Sequence, residues 1–171
     1  MGTSIFYSAP LLHQASVTLT NAQIKALPTN GNGITIVGAA GAGTIMMPQF
    51  AMLKCASVAA YTNIDVNTEA SIWLSSAVEC VKLSNTTNTT IATLLGASEA
   101  SMYAYSPAES QIVSTVTGGF PMYGSDVDNV EMVFRIVNGS PTSDFTGGNA
   151  ANSLTVTVAY LVFNTTSGQF V

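Results

Sequence analysis

Ser153-Leu154-Thr155-Val156-Thr157-Val158-Ala159-Tyr160-Leu161-Val162-Phe163 is the stretch that decides the fold of this chain. Leu154, Val156, Val158, Tyr160 and Val162 alternate with Ser153, Thr155, Thr157, Ala159 and Leu161, which is the period of a strand with one buried face. A slip of one residue would turn the whole apolar set toward water, so the register of this strand is tightly specified.

The same period appears upstream. In Val130 to Val137, Val130, Met132, Phe134 and Ile136 fall on one face and Glu131, Val133, Arg135 and Val137 on the other. Ser16 to Thr20 alternates as well, and Thr20-Asn21-Ala22-Gln23 then forms a capping box, predicting a short helix to about Leu27 that Pro28 ends. A turn cluster from Thr29 to Gly33 leads into a strand, Ile34 to Val37. After the small-residue loop Gly38 to Gly43, Thr44 to Val58 reads as a long strand bent near Pro48.

Ser71 to Leu74 and Val78 to Leu83 are further strands, and Ser84 to Thr90 is a polar loop. Thr90 to Leu95 makes one or two helical turns closed by Gly96 just beyond the helix end. Weak alternation runs from Ser101 to Val116. A short strand at Gly119 to Tyr123 precedes the acidic turn Asp126 to Asn129, and Asn138 to Asn149 is a loop. Short strands, at most two short helices and no βαβ rhythm point to an all-β protein, a jelly-roll-like antiparallel β-sandwich with one or two short helices. Residues 1–15 read as an N-terminal arm and 16–171 as a single sandwich domain, without internal repeat or linker.

Composition agrees. Of 171 residues, 8% are charged and 47% hydrophobic, against about 25% charged in ordinary soluble chains. The polar surface is therefore built from Thr, Ser, Asn and Gln, and the branched Cβ of Thr suits a pleated strand. Lys25, Lys54, Lys82 and Arg135 are scattered and the net charge is -5, so no cluster neutralises several phosphates at once and nucleic acid is set aside as a partner. Ile34 to Tyr61 carries one charge, Lys54, but Gly38, Gly41, Gly43 and Pro48-Gln49 break it well short of a spanning helix. No membrane partner is expected. Met1 to Phe6 lacks the basic segment and apolar run of a secretion signal.

Apparent chemical motifs fail at named residues. The loop Gly38 to Thr44 resembles a phosphate cradle, yet a P-loop needs Lys where Thr44 stands and a dinucleotide fingerprint needs Gly where Met46 stands. His13, the single histidine, lies in the N-terminal segment with no carboxylate or cysteine close in sequence. Asp126, Asp128 and Glu131 cluster, but Val130 and Glu131 occupy the positions where a calcium loop wants an oxygen ligand and Gly. Those acids read as a solubilising turn. No serine sits in a Gly-x-Ser-x-Gly elbow.

Cys55 and Cys80 form no CxxC and have no nearby His, which argues against zinc. They read as two reduced core thiols on segments placed as neighbouring strands, with a disulfide as the alternative. Asn85, Asn88, Asn138 and Asn164 each begin an Asn-x-Ser/Thr triplet, which matters only in a eukaryotic secretory route. Tyr103, Tyr105, Tyr123 and Trp73 are candidates for a sugar platform, although Trp73, between Ile72 and Leu74, defaults to the core. Tyr103 and Tyr105 share a face at strand spacing and are the candidate ligand or interface contacts. No catalytic residue, cofactor site or metal site is read, and the chain is expected not to be an enzyme.

The run Val17 to Pro28, joined to Gly33-Ile34-Thr35-Ile36-Val37 and Gly41-Ala42-Gly43-Thr44-Ile45, resembles the N-terminal part of small accessory structural proteins of tailed bacteriophages. Gly147-Gly148-Asn149 with Ser153 to Tyr160 is similar to the closing strand of the same family. The likeness covers both ends and leaves out residues 60–140, and Thr44 stands where a basic residue is expected in many such proteins. The resemblance implies a virion component, a homotrimeric jelly-roll-like sandwich that decorates the head by binding the major capsid protein, or that contributes to a fibre or tail. It also implies assembly in the host cytoplasm, which agrees with reduced cysteines. Two other readings stay open: a receptor- or glycan-binding fibre module and an exported adhesin or pilus-like subunit.

Overall fold

The computed structural model describes residues 11–31, 33–65, 67–74, 78–83, 89–98, 102–107, 113–114, 128–139 and 143–171. In chain order the elements are β1 (His13–Thr20), α1 (Asn21–Ala26), β2 (Ile34–Val37), β3 (Thr44–Ala56), β4 (Tyr61–Thr62), β5 (Glu69–Leu74), β6 (Val78–Lys82), α2 (Thr89–Gly96), β7 (Met102–Pro107), β8 (Val113–Ser114), β9 (Met132–Val137), β10 (Thr146–Gly147), β11 (Ser153–Asn164) and β12 (Gln169–Phe170). The protein is an all-β sandwich with two short helices. Its first sheet runs β1-β11-β3-β7, with β12 also on β11, and its second runs β2-β9-β5-β6-β8; a small pair, β10-β4, stands apart. Every pairing is antiparallel.

The pairings nest. The outermost long strands, β1 and β11, pair with each other, then β2 with β9, β3 with β7, and innermost β5 with β6. Folding that double ribbon over on itself brings β11 against β3 and β9 against β5, which closes the two sheets.

Register shows why alternation specifies the core. Across the first sheet Leu19, Leu154 and Cys55 lie in one row and Val17, Val156 and Leu53 in the next, and all of them face the second sheet. There Ile34, Phe134, Ile72 and Val81 form the matching row. Leu154, Val156, Leu53, Phe134 and Ile72 are all fully buried. Ile24 and Leu27 close the sandwich from α1, and Ile91, Leu94 and Leu95 from α2. The capping box forms as its residues require: Gln23 N donates to Thr20 Oγ1 at 3.4 Å and Thr20 N donates to Gln23 Oε1 at 3.0 Å. The bend in β3 is a bulge, since Ala159 lies opposite Phe50 and Tyr160 opposite Pro48, which leaves Gln49 as the extra residue.

Several expectations change. His13, Gln14 and Ala15, read as arm, belong to β1, because β11 is long enough to pair them. Gly96 is the last residue of α2 and not the residue after it. Cys55 and Cys80 are on opposite sheets, in β3 and β6, and not on neighbouring strands; both are buried and neither is in a disulfide. Trp73 points away from the core that Ile72 and Leu74 join, because consecutive strand residues face opposite sides. The expected strand at Gly119 to Tyr123 and most of the loop at Ser84 to Thr90 lie outside the described residues.

At the end of the sandwich the chain reverses through Gly147 and Gly148, both at φ +70. A Cβ on Gly148 would sit 2.7 Å from Asn21 Oδ1 and from Tyr61 Cε1, so glycine is needed there for both conformation and space.

Burial pushes both thiols up, Cys80 to about 12. Its folded value lies above the ordinary 9.0, so the stability contributed by the protonated thiol is complete below pH 9 and is lost as pH climbs toward 12. The urea midpoint is expected to fall across that window, and to fall less in Cys80→Ala. Iodoacetamide at pH 8 is expected to alkylate the denatured chain at least ~100-fold faster than the native one. Equal rates would contradict the burial.

Candidate interaction surface

With the core filled by one face of each sheet, any interaction falls to the outward faces, the edges or the loops. The outward rows of the first sheet follow from its register. Thr18, Thr155 and Lys54 form one row and Ser16, Thr157 and Met52 the next, with Tyr103 and Tyr105 of β7 in register opposite Lys54 and Met52. Gln14, Ala159 and Phe50 form a third. Thr18 Oγ1 and Thr155 Oγ1 are hydrogen-bonded at 3.0 Å, and Ser16 Oγ and Thr157 Oγ1 at 2.8 Å. Each hydroxyl pair satisfies a donor and an acceptor across the strands, with Thr157 itself buried at 8% exposure. Lys54 is the one ionic residue in these rows. The sequence-predicted contacts Tyr103 and Tyr105 thus stand on β7 in register with Lys54 and Met52, with β3 between them and the hydroxyl pairs of β1 and β11.

The proposed aromatic platform is not assembled. Trp73 lies in the second sheet, away from Tyr103 and Tyr105 in the first, and Tyr123 is outside the described residues. Trp73 is instead occupied locally. The Arg135 guanidinium stacks over its ring at 4.9 Å and its Nε1 donates to Ser71 Oγ at 2.7 Å. Burial holds Arg135 below its ordinary value. This stack also explains why Val133, on the outward face, is 2% exposed: it lies beside Trp73 in register.

Two amides of the glycine loop are engaged within the chain. Gly41 N donates to Asn129 Oδ1 and Thr44 N to Asp128 Oδ1, both at 2.9 Å. The Thr44 hydroxyl donates to the Gly41 carbonyl. A carboxylate at this loop opposes an anion, so the phosphate reading fails on geometry as it did on residue identity. The acidic turn accordingly has specific tasks: Asp128 latches Thr44, and Glu131 Oε2 accepts from Thr35 Oγ1 at 2.8 Å. Sequence reasoning missed these latches because the partners are far apart along the chain. Asp126 lies outside the described residues. Among the described residues, no three His, Cys, Asp or Glu gather in a way that would hold a metal ion. No helix among them is long and apolar enough to cross a membrane.

His13 stacks on Tyr160 with ring centroids 5.4 Å apart, and its Nε2 lies 3.1 Å from the Val171 carbonyl oxygen, to which it donates. The histidine therefore joins the two ends of the described chain. Asn138, the head of one Asn-x-Ser triplet, is 1% exposed and fully engaged. Its Oδ1 accepts from Asp65 N and Thr68 Oγ1, each at 2.7 Å, and its Nδ2 donates to Asn63 O at 2.8 Å and Ser143 O at 2.9 Å. No glycan reaches that amide in the folded chain. Asn152 plays a parallel part, accepting from Val58 N at 2.8 Å and donating to Ala59 O at 2.7 Å. Asn164 Oδ1 accepts from Thr166 N and Ser167 N, at 3.0 and 2.8 Å, in the turn before β12. Asn85 and Asn88 lie outside the described residues.

Searched against known proteins, the chain matches no family model, no curated protein and no solved structure.

Proposed function

We propose that this chain is a virion structural protein, a capsid decoration subunit that binds the phage head as an oligomer. The observation that carries this reading is the outward face of the first sheet, where Thr18 with Thr155 and Ser16 with Thr157 satisfy each other beside a single cation, Lys54. A surface of paired hydroxyls costs little to desolvate and makes contacts that salt does not screen, which suits attachment to a lattice. The nested ribbon of β1/β11, β2/β9, β3/β7 and β5/β6 supports a jelly-roll reading of the sandwich. Jelly rolls recur in viral capsid and lectin domains, an analogy at the level of fold. In this reading the partner is the major capsid protein or another virion protein, the location is the virion after assembly in host cytoplasm, and no catalysis or cofactor is involved.

A receptor- or glycan-binding fibre module is the second reading. It is favoured by the strand register, in which Tyr103 and Tyr105 take alternate positions of β7 opposite Lys54 and Met52, since tyrosines at strand spacing suit a sugar platform. A Cys55–Cys80 disulfide would favour the exported adhesin reading, and neither cysteine is in one.

Quantitative mass spectrometry of particles purified through about 1 M salt, where surface ion pairs are screened, tests the proposal. A fixed ratio of this chain to the major capsid protein is expected. Its absence from the particles overturns the reading. A few copies per particle, with binding on a glycan array, replaces it with the fibre module.

A further inference from the structure

The sheet edges differ in how they are protected. A bare edge strand is a template for another chain, and folds blunt it with short strands, proline, bulges or charge. β2 is four residues long with a break in its register, β8 has two residues, and β7 ends in Pro107. β1 has none of these devices. His13-Gln14-Ala15-Ser16-Val17-Thr18-Leu19-Thr20 contains no proline and no Asp, Glu, Lys or Arg, and it pairs with β11 without a break. Among the described residues no strand pairs with its other side.

Two further observations fall on the same edge. Ala15 and Val17 face inward yet stay only partly buried, while their partners Val158 and Val156 are wholly buried. Beyond His13 the edge continues into the C-terminus: Phe170 pairs with Phe163, Val171 N donates to Val162 O at 3.0 Å, and His13 holds the Val171 carbonyl. Exposed large apolar side chains gather there, with Leu11 63%, Leu12 58%, Phe170 43% and Val171 53% exposed.

We infer that β1 is a self-association edge, which pairs antiparallel with β1 of a second copy of this chain. The second copy is the occupant because the other edges of the described fold are short, broken or proline-ended. β1 is the long, regular strand that matches itself. Antiparallel pairing also preserves both faces. Ala15, Val17 and Leu19 meet the partner's inward set, and Ser16 and Thr18 extend the hydroxyl ladder into the partner sheet. A contact of a surface with itself closes at two copies, so the unit is a two-fold dimer in place of the trimer expected from the phage resemblance. The inference rests on the oligomeric part of the proposed function and on nothing about the capsid. A dimer absent from particles would leave it standing while the decoration reading fails.

Sedimentation equilibrium of the full chain, with hydrogen exchange on the same sample, tests it. The expected result is a dimer in which the β1 amides that turn away from β11 are protected. Thr18→Lys sets like charges near each other across the two-fold and is expected to weaken the dimer by about tenfold or more. Met52→Lys, two strands in on the same outward face, is expected to leave the mass unchanged. Circular dichroism confirms that each variant stays folded. Should Thr18→Lys unfold the chain, Ser16→Lys is measured in its place with the same expectation. A monomer at the highest concentration reached overturns the inference. So does a trimer, or a dimer whose outward β1 amides exchange as solvated ones.

Discussion

Asn138→Ala is expected to destabilise the chain by about 3 kcal/mol, which lowers the melting temperature by roughly 10 °C for a domain of this size. The side chain is 1% exposed and makes four hydrogen bonds, to Asp65 N, Thr68 Oγ1, Asn63 O and Ser143 O. Alanine removes both the acceptor and the donor, so Asp65 N, Asn63 O and Ser143 O lose this partner in a water-poor site, while Thr68 Oγ1 keeps the Asp65 carbonyl. Leaving a buried polar group unsatisfied costs about 1–3 kcal/mol, and partial rehydration keeps the total below the simple sum. Asn138→Asp is expected to be worse at neutral pH than at pH 3, because a carboxylate would face the carbonyls of Asn63 and Ser143, whereas the protonated acid can still donate. Urea unfolding followed by circular dichroism measures both variants. A midpoint for Asn138→Ala within error of the parent would mean that the amide is not the clamp described.

Phe134→Ala is expected to cost about 4 kcal/mol, the middle of the range for a buried aromatic truncated to a methyl group. Phe134 is fully buried in the row formed with Ile34 and Ile72, at the centre of the second sheet. Its neighbours on that row are fixed in strands and cannot collapse into the space without disturbing the pairing of β2, β9 and β5. Val137→Ala provides the contrast. On the opposite face of the same strand and 45% exposed, it is expected to change stability by less than about 0.5 kcal/mol. Comparable losses for the two would contradict the assignment of faces along β9.

The elements legible in advance were those whose signal is local. β9 and β11 alternate over six and twelve residues, and the faces read from that alternation are the ones that pack. The Thr20 capping box placed α1 because its donors and acceptors lie within four consecutive residues. What escaped notice was short or paired at long range. β4 and β10 have two residues each and exist because Tyr61 and Thr62 meet Gly147 and Thr146. Trp73 was expected in the core on its neighbours' hydrophobicity, when strict alternation already put it on the other face from Ile72 and Leu74. Of the candidate contacts, the spacing of Tyr103 and Tyr105 was readable, but their register opposite Lys54 and Met52 was not.

The sequence by itself determined that this chain is a β protein, which residues of its strongest strands face inward, and that its surface is built from hydroxyls and amides with few charges. Alternation and composition are enough for that, because each residue's choice of face depends on its own chemistry and on the pleat. Only the tertiary structure decided which strands became neighbours, and with that every feature on which function turns. It set Cys55 and Cys80 in opposite sheets, tied Asp128 to Thr44 and Asn138 to Asp65 and Thr68, and left β1 at the edge of its sheet among the described residues. The physical reason is that the pairings that set the order of the sheets, such as β1 with β11, β2 with β9 and β3 with β7, join strands far apart in the chain. Partner choice is a collective outcome of burying both sheets at once, and no local window of residues contains it.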